Sequence, residues 1–343
     1  MKRSHWKTGQ LLSYLLVLLV IFLVFREHAQ EILQNLRGVP LWGAALLFGL
    51  ALAYQGLEAA VCRRLIRTRI PDFSFPPAFT TTFLGVFGNV ATCGAGSIPM
   101  QGCYLCQYGL LPGQGIGIMT AEYIFHKTST LIYAAVMLLF QGSWLRGASP
   151  DLFRYLVMGF GICGAIITAL VLLCTWERLK ALALRAMDLL PDAGKWGPRK
   201  AAWRTNLEAL HTEARYVLKS PGCCLRVLLL NGAKLFCLYL AAYLSFYFLN
   251  ISSPAFWRVQ LLTALMLVIT GALPNVAGVG PTELAFLLIF SPYAGDAAAS
   301  SALILYRTAT YFFPFLFSCF VLLHTQRKRT VREDRQPLQD GPE

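Results

Sequence analysis

Long apolar segments alternate with short polar segments along most of the chain. A transmembrane helix needs about 20 consecutive and mainly apolar residues, and runs of this length favour helices over strands. The pattern therefore predicts an all-α, polytopic integral membrane protein with about six full spans and two broken helix pairs. The predicted full spans are 11–25, 41–62, 116–140, 155–176, 225–249 and 297–323, and the predicted broken pairs are 78–111 and 257–293.

The second broken pair carries helix-breaking residues in the middle of an apolar run. Pro274, Gly278 and Gly280 fall within a few positions of one another. Backbone groups left unpaired at such a break need burial in protein or a polar cavity, because hydrocarbon offers them no partner. A helix that restarts at Pro281 would direct its positive N-terminal end into the break. We interpret each broken pair as a re-entrant hairpin or two short spans.

Short patterns recur in the two halves of the chain, which predicts an inverted repeat. Each half has Asn-Val-Ala before glycines and a proline, and later a basic residue followed by threonines. We predict one transmembrane domain over 1–325, with half-repeats at about 8–145 and 150–325. The matching residues are Asn89, Gly94, Gly96, Pro99, Gln101 and Lys127 in the first half, and Asn275, Gly278, Gly280, Pro281, Glu283 and Arg307 in the second.

Composition supports a membrane protein and excludes a soluble domain. Hydrophobic residues make up 56% of the chain and charged residues only 14%. The formal net charge is +13, but the basic residues lie between apolar segments, so they indicate topology and not nucleic-acid binding. They predict a multi-pass cell-membrane protein with both termini in the cytoplasm. The basic connection 177–222 is predicted to lie on the inner leaflet as amphipathic helices or to be a solvated linker, and 326–343 to be a disordered cytoplasmic tail.

Metal and cofactor chemistry is not expected. Most of the ten cysteines lie in apolar runs, where cysteine acts as a small hydrophobe. Cys103 and Cys106 have CxxC spacing without a second pair. Glu122 and His126 share a helix face, but no further ligand completes a site. No nucleophile elbow, phosphate-binding loop or dinucleotide-binding pattern is present.

Ionisable residues inside apolar runs are the candidate functional residues. They are Glu58, Glu122, His126, Lys127, Lys234, Glu283 and Arg307. In one interpretation, carboxylates pair with Lys127 or Arg307 and link the two halves. In the other, Lys127, Arg307 and the half-helix N-termini bind an anionic phosphate, while Glu122 and Glu283 balance them or hold a cationic headgroup.

The remaining polar residues have two roles open to them. Gln101, Asn89 and Asn275 could donate to a headgroup, although asparagine more commonly caps a break in its own chain. Lys234 and Glu58 are expected to lie near the cytoplasmic ends of their helices and to snorkel. A helix through Arg307 would place Thr310, Tyr311 and Pro314 on the same face.

Three groups of residues carry a resemblance to a known family: Gly96-Ser-Ile-Pro-Met-Gln101 with Tyr104 and Tyr108, Pro274 through Glu283, and Tyr306-Arg307 through Tyr311 to Pro314. Through these motifs the chain resembles, over residues 8–325, the lysylphosphatidylglycerol synthase transmembrane family, which includes the membrane half of the bifunctional multiple peptide resistance factor. This resemblance implies a flippase that moves a phospholipid, typically an aminoacylated phosphatidylglycerol, between leaflets and so lowers the binding of cationic antibiotic peptides. Tyr306 and Tyr311 join the candidate substrate-binding residues on this basis.

Full-length relatives carry a soluble domain that transfers an amino acid from charged tRNA to the lipid. Few residues follow Leu323 here, so we expect no such transfer by this chain. The alternatives are the membrane subunit of a phosphatidylglycerol lysyltransferase, served by a separate cytoplasmic transferase, and a transporter of polyprenyl-phosphate or glycolipid. The expected partners are the bilayer and its phospholipid, and a homo-oligomer is left open.

Overall fold

The structure is a computed structural model that describes residues 34, 36–92, 94–188, 196–251, 255–271 and 280–335. All regular secondary structure in these ranges is helical. The predicted span 11–25 and the break residues 272–279 lie outside the described part of the chain.

Twelve α-helices can be followed along the described residues. Prolines begin four of them, at Pro112, Pro150, Pro221 and Pro281, where the missing N–H costs no helical hydrogen bond. The helices are α1 (Leu41–Ile66), α2 (Phe75–Ala91), α3 (Ser97–Leu105), α4 (Pro112–Ala148), α5 (Pro150–Thr175), α6 (Glu177–Asp188), α7 (Trp196–Leu218), α8 (Pro221–Phe248), α9 (Phe256–Thr270), α10 (Pro281–Ala294), α11 (Asp296–Arg307) and α12 (Phe313–Arg335).

Five helical segments of the described chain are long and apolar enough to cross a membrane: α1, α4, α5, α8 and the continuous stretch Asp296–Thr325. Together with the shorter apolar helices they confirm the predicted all-α, polytopic membrane protein. The last stretch is continuous because a π-helical turn, Thr308–Phe312, joins α11 to α12.

Both predicted broken pairs consist of two shorter helices. The first pair is α2 and α3, and the second is α9 and α10. In each pair the two helices pack against one another. The breaks therefore stand where proline and glycine interrupt the apolar runs.

In each predicted half, a helix that follows the broken pair packs against the broken pair of the other half. Helix α4, from the first half, packs against α9 of the second broken pair, and α12 packs against α2 of the first. Tyr133 of α4 donates a 2.7 Å hydrogen bond to Gln260 of α9, and the rings of Phe83 and Phe317 lie 4.8 Å apart between α2 and α12. Such an exchange is what two related halves would give, while their inverted orientation stays a prediction.

The connection 177–222 is docked on the helical body. It forms α6 and α7, and α7 lies along α4, where a side-chain carbon at Gly117 would stand 2.9 Å from the carbonyl of Ala209. Small residues permit such close helix contacts. Arg69, in the loop after α1, forms a bidentate pair with Glu213 of α7 at 2.9 and 3.1 Å. These contacts favour the helical interpretation of the connection over the solvated linker.

The C-terminal boundary differs from the prediction. Helix α12 continues to Arg335, beyond the predicted start of a disordered tail at 326. The helix persists there because nothing in the sequence from 326 to 335 breaks it, since proline first appears at 337. Residues 336–343 lie outside the described chain.

Candidate functional site

Lys127 borders the second break on its N-terminal side. Its Nζ donates to the backbone carbonyl of Gly271, at 3.3 Å, and lies 5.3 Å from the ring centre of Tyr123. Gly271 follows the last residue of α9. No carboxylate lies within ion-pair distance of Lys127 among the residues that the structure describes. The contacts shown for this ammonium group are therefore to neutral groups.

Glu283 and Arg307 border the break on its C-terminal side. Gly280 has a φ of 113°, a conformation that favours glycine, and its N–H donates to Glu283 Oε2 at 2.5 Å. Arg307 Nε lies 2.6 Å from Glu283 Oε1, and the two side chains are 12% and 9% exposed. The N-terminal end of α10 is thus already occupied by the carboxylate of Glu283, which lies in the first turn of that helix. The same carboxylate binds the guanidinium group of Arg307.

Arg307 lies where α11 passes into the π-helical turn. Its guanidinium stands 4.1 Å from the ring centre of Tyr311, so these two residues share a face as predicted. Tyr306 instead points into the core, 2% exposed, with its ring 5.8 Å from that of Phe286. Single π turns within α-helices occur frequently at functional sites, and this one carries the motif that the sequence singled out.

The first break is closed by contacts between its own arms. Gly88 and Gly96 approach so closely that a side-chain carbon on Gly88 would lie 2.6 Å from the Gly96 carbonyl oxygen. The Asn89 carbonyl accepts a 2.7 Å hydrogen bond from Gly94 N–H. Gln101 is buried with its amide against Gly85. Asn89 and Gln101 therefore lie at this break and not at the second, and Asn275 falls outside the described residues.

A second group of buried charges lies where α1, α4 and α8 meet. Lys234 of α8 forms an ion pair with Glu58 of α1, and the lysine side chain is 0% exposed. The expectation that Lys234 snorkels to the membrane surface is wrong, because an internal carboxylate holds its ammonium group. Glu122 and His126 of α4 interact electrostatically with Lys234.

The structure thus divides the predicted site residues into three groups. Lys127, Glu283, Arg307 and Tyr311 surround the second break, Asn89 and Gln101 lie at the first, and Glu122 and His126 belong to the buried charge cluster. Sequence reasoning missed Asn231 and Tyr54, which line this cluster from α8 and α1. In the sequence, Asn231 and Tyr54 are each visible only as a polar residue within an apolar helical run.

An apolar groove of about 190 Å³ opens beside α4. Helices α4, α5, α7 and α8 form its walls, and almost all of its surface is hydrocarbon. Its lining residues are Ala121, Ile124, Phe125, Thr128, Val171, Thr175, Ala214, Leu218, Cys224 and Leu228. A groove of this character suits a hydrocarbon chain better than a polar molecule.

One family of known proteins matches the chain. The family is described as the lysylphosphatidylglycerol synthase TM region, and its match covers residues 10–318. The matched range includes both breaks and every candidate site residue. No curated protein gives a significant match.

Proposed function

Since the chain belongs to the lysylphosphatidylglycerol synthase transmembrane family, we propose that it is a lipid translocase. Its substrate would be an anionic or aminoacylated phospholipid, such as lysyl-phosphatidylglycerol, moved between leaflets. The observation that carries this proposal is the placement of two cations, Lys127 and Arg307, at opposite ends of one intramembrane break. Buried cations beside irregular backbone are costly in a membrane, and they commonly mark a substrate path.

Lys127 is the first contact for the lipid phosphate in this proposal. Its ammonium group already faces the break and is not neutralised by a carboxylate in the described chain. A phosphate could therefore bind without first breaking an ion pair. The Gly271 carbonyl is a neutral acceptor, whereas a phosphate oxygen is charged and adds Coulomb attraction to the hydrogen bond. Exchange of the carbonyl for a phosphate oxygen would therefore be favourable.

In this proposal, the ion pair of Arg307 and Glu283 rearranges when the lipid phosphate binds. A phosphate that engages the guanidinium competes with the Glu283 carboxylate, which also holds Gly280 N–H. Release of that carboxylate would free the start of α10 and give an ammonium group of an aminoacylated lipid an acidic partner. One lipid with both charges would thus satisfy the cations and the carboxylate together.

The exchanged packing of the halves supplies a means of movement. Helix α4 carries Lys127 against α9, while α12, which follows Arg307, lies against α2. Motion of one half against the other would move the two cations relative to the breaks, as in transporters built from repeats. The apolar groove beside α4 offers a place for an acyl chain while the headgroup crosses.

Leaflet exchange in proteoliposomes tests the proposal. Labelled lysyl-phosphatidylglycerol should equilibrate faster across vesicles with the wild-type protein than across protein-free vesicles. Lys127→Ala should lose this acceleration, whereas Arg154→Ala, at a side chain 79% exposed, should retain it. Wild-type vesicles that exchange no faster than empty ones would reject the function. Equal rates for wild type and Lys127→Ala would reject the role of Lys127.

A second candidate is a membrane subunit that presents lipid to a separate cytoplasmic transferase. It is favoured by apolar side chains left open on and beside α6, where Trp176 is 50% and Leu182 61% exposed. Exposed apolar surface of this kind marks a membrane or protein contact. Purified protein given phosphatidylglycerol and lysyl-tRNA should form no product in either case. Lysyl-lipid made without a partner would contradict both.

A further inference from the structure

The ion pair between Glu58 and Lys234 leaves one buried carboxylate without a counter-ion. Helices α1, α4 and α8 bring Glu58, Glu122 and Lys234 together, and the ammonium group of Lys234 pairs with Glu58. Two carboxylates thus share one cation. If all three groups were charged, the cluster would carry a net negative charge inside the membrane, which is strongly unfavourable.

Glu122 is the carboxylate that has no ion-pair partner among the residues that the structure describes. It is 5% exposed, and its Oε1 accepts no hydrogen bond from any described residue. The charged groups that act on Glu122 in the described part of the chain are Glu58 of α1 and Lys234 of α8. Helices α3, α5, α7 and α9 also pack on α4. The groups facing this region are Tyr54, Glu58 and Cys62 from α1, Lys234 and Asn231 from α8, and His126 from α4 itself.

We propose that Glu122 is a proton-binding site and that its protonation is coupled to lipid translocation. A buried carboxyl group without a counter-ion takes up a proton instead of remaining charged. Binding consists of proton transfer from water to a Glu122 oxygen, and release returns the proton to water. The coupling rests on the proposed translocase function, whereas the proton site itself does not.

In this proposal, Glu58 is the residue through which a proton enters and leaves the buried cluster. Its side chain is 23% exposed while that of Lys234 is fully buried, so Glu58 is the member of the ion pair that can exchange a proton with water. His126, one helical turn beyond Glu122, has an Nδ1 atom without a partner in the described chain. His126 is therefore a second titratable group of the cluster, on the same helix as Glu122.

Loss of the proton would change which helices are held together. A charged Glu122 competes with Glu58 for Lys234, so that the ammonium group is drawn from α1 towards α4. Helix α4 also carries Lys127, whose Nζ reaches Gly271 at the second break. Protonation at Glu122 can thus bias the position of the helix that holds the proposed lipid contact.

Infrared spectroscopy of the purified full-length protein tests the proton site without a transport assay. Wild type should show the carbonyl band of a protonated carboxylic acid at neutral pH, and Glu122→Gln should lack it. Glu58→Gln should lack it as well, because Lys234 is then free to pair with a charged Glu122. Asp151→Asn, at an exposed carboxylate, should keep the band. A band that persists in Glu122→Gln, or no band in wild type, would overturn the proposal. If Glu122→Gln does not fold, the Glu58→Gln comparison decides by the same criterion.

Leaflet exchange under a pH gradient tests the coupling. An imposed gradient should change the wild-type exchange rate and should leave that of Glu122→Gln unaffected. Wild-type exchange that ignores the gradient would overturn the coupling but leave the translocase function standing. Exchange absent from wild type under every condition would reject the translocase function and with it the coupling, while the infrared result would still decide the proton site.

Discussion

The ammonium nitrogen of Lys127 lies 3.3 Å from the carbonyl oxygen of Gly271, across 144 positions of the chain. This contact joins the long helix α4 of the first half to the start of the break in the second half. A cation held by a single carbonyl is easily exchanged for a stronger acceptor. The position of Lys127 thus depends on the local shape of the backbone at Gly271.

Gly271→Ala should displace Lys127 and slow lipid exchange. A side-chain carbon at this position would collide with the lysine Nζ. A hydrogen bond to a charged group is worth about 1.5–3 kcal/mol, so the exchange rate should fall by about tenfold or more. Leaflet-exchange kinetics measure the effect. Gly147→Ala, where the added carbon meets nothing within 4 Å, is the matched control, and equal rates for both variants would contradict the expectation.

Arg307 and Glu283 should stabilise the folded protein only when both residues are present. Arg307→Met leaves the carboxylate of Glu283 buried without its cation, and breaking a buried pair in this way costs about 3–5 kcal/mol. The double variant Arg307→Met with Glu283→Gln should recover most of this loss, because a glutamine oxygen can still accept from Gly280 N–H. Thermal unfolding in detergent gives the comparison. Additive destabilisation by the two substitutions would show that the pair is not coupled.

The docking of α7 should weaken in acid. Burial, followed by the nearby charges of Lys180 and Arg215, lowers the pKa of His211 in the folded protein. The folded state then binds this proton less readily than the unfolded chain, so the stability it contributes is present above the ordinary histidine pKa of about 6.5 and falls as the pH drops below it.

His211→Gln should reduce this pH dependence. Thermal unfolding measured at about pH 7.5 and about pH 5, on either side of the ordinary histidine pKa, should show a smaller acid loss in this variant than in wild type. His324→Gln, at an exposed position, should retain the wild-type loss. An identical pH dependence in all three proteins would count against a buried, neutral His211.

The helices and their breaks were predictable because they depend on local sequence. Apolar runs of spanning length, proline at first helical positions and glycine at the breaks are visible without knowing the fold. Even the contact of Glu283 with Gly280 has a local signal, since an acidic residue three positions into a helix commonly accepts from the N-terminal backbone. Its consequence, a helix end already occupied by a carboxylate, follows from that spacing.

The pairing of charges was not predictable because it depends on which distant helices meet. Lys234 and Glu58 are 176 positions apart. The residues that surround each of them in the sequence do not distinguish a buried lysine from one that snorkels. Glu122 likewise shares a helix with Lys127, yet it interacts with Glu58 and Lys234 on other helices. Periodicity assigns a residue to a helix face but does not identify the partner opposite.

Native mass spectrometry of the purified protein tests most directly whether Lys127 holds a lipid phosphate at the second break. Wild type and the exposed control Arg154→Gln should both retain a bound anionic or aminoacylated phospholipid after mild detergent extraction. Lys127→Gln should lose that lipid while remaining folded. Equal lipid retention in Lys127→Gln and wild type would contradict the proposed site.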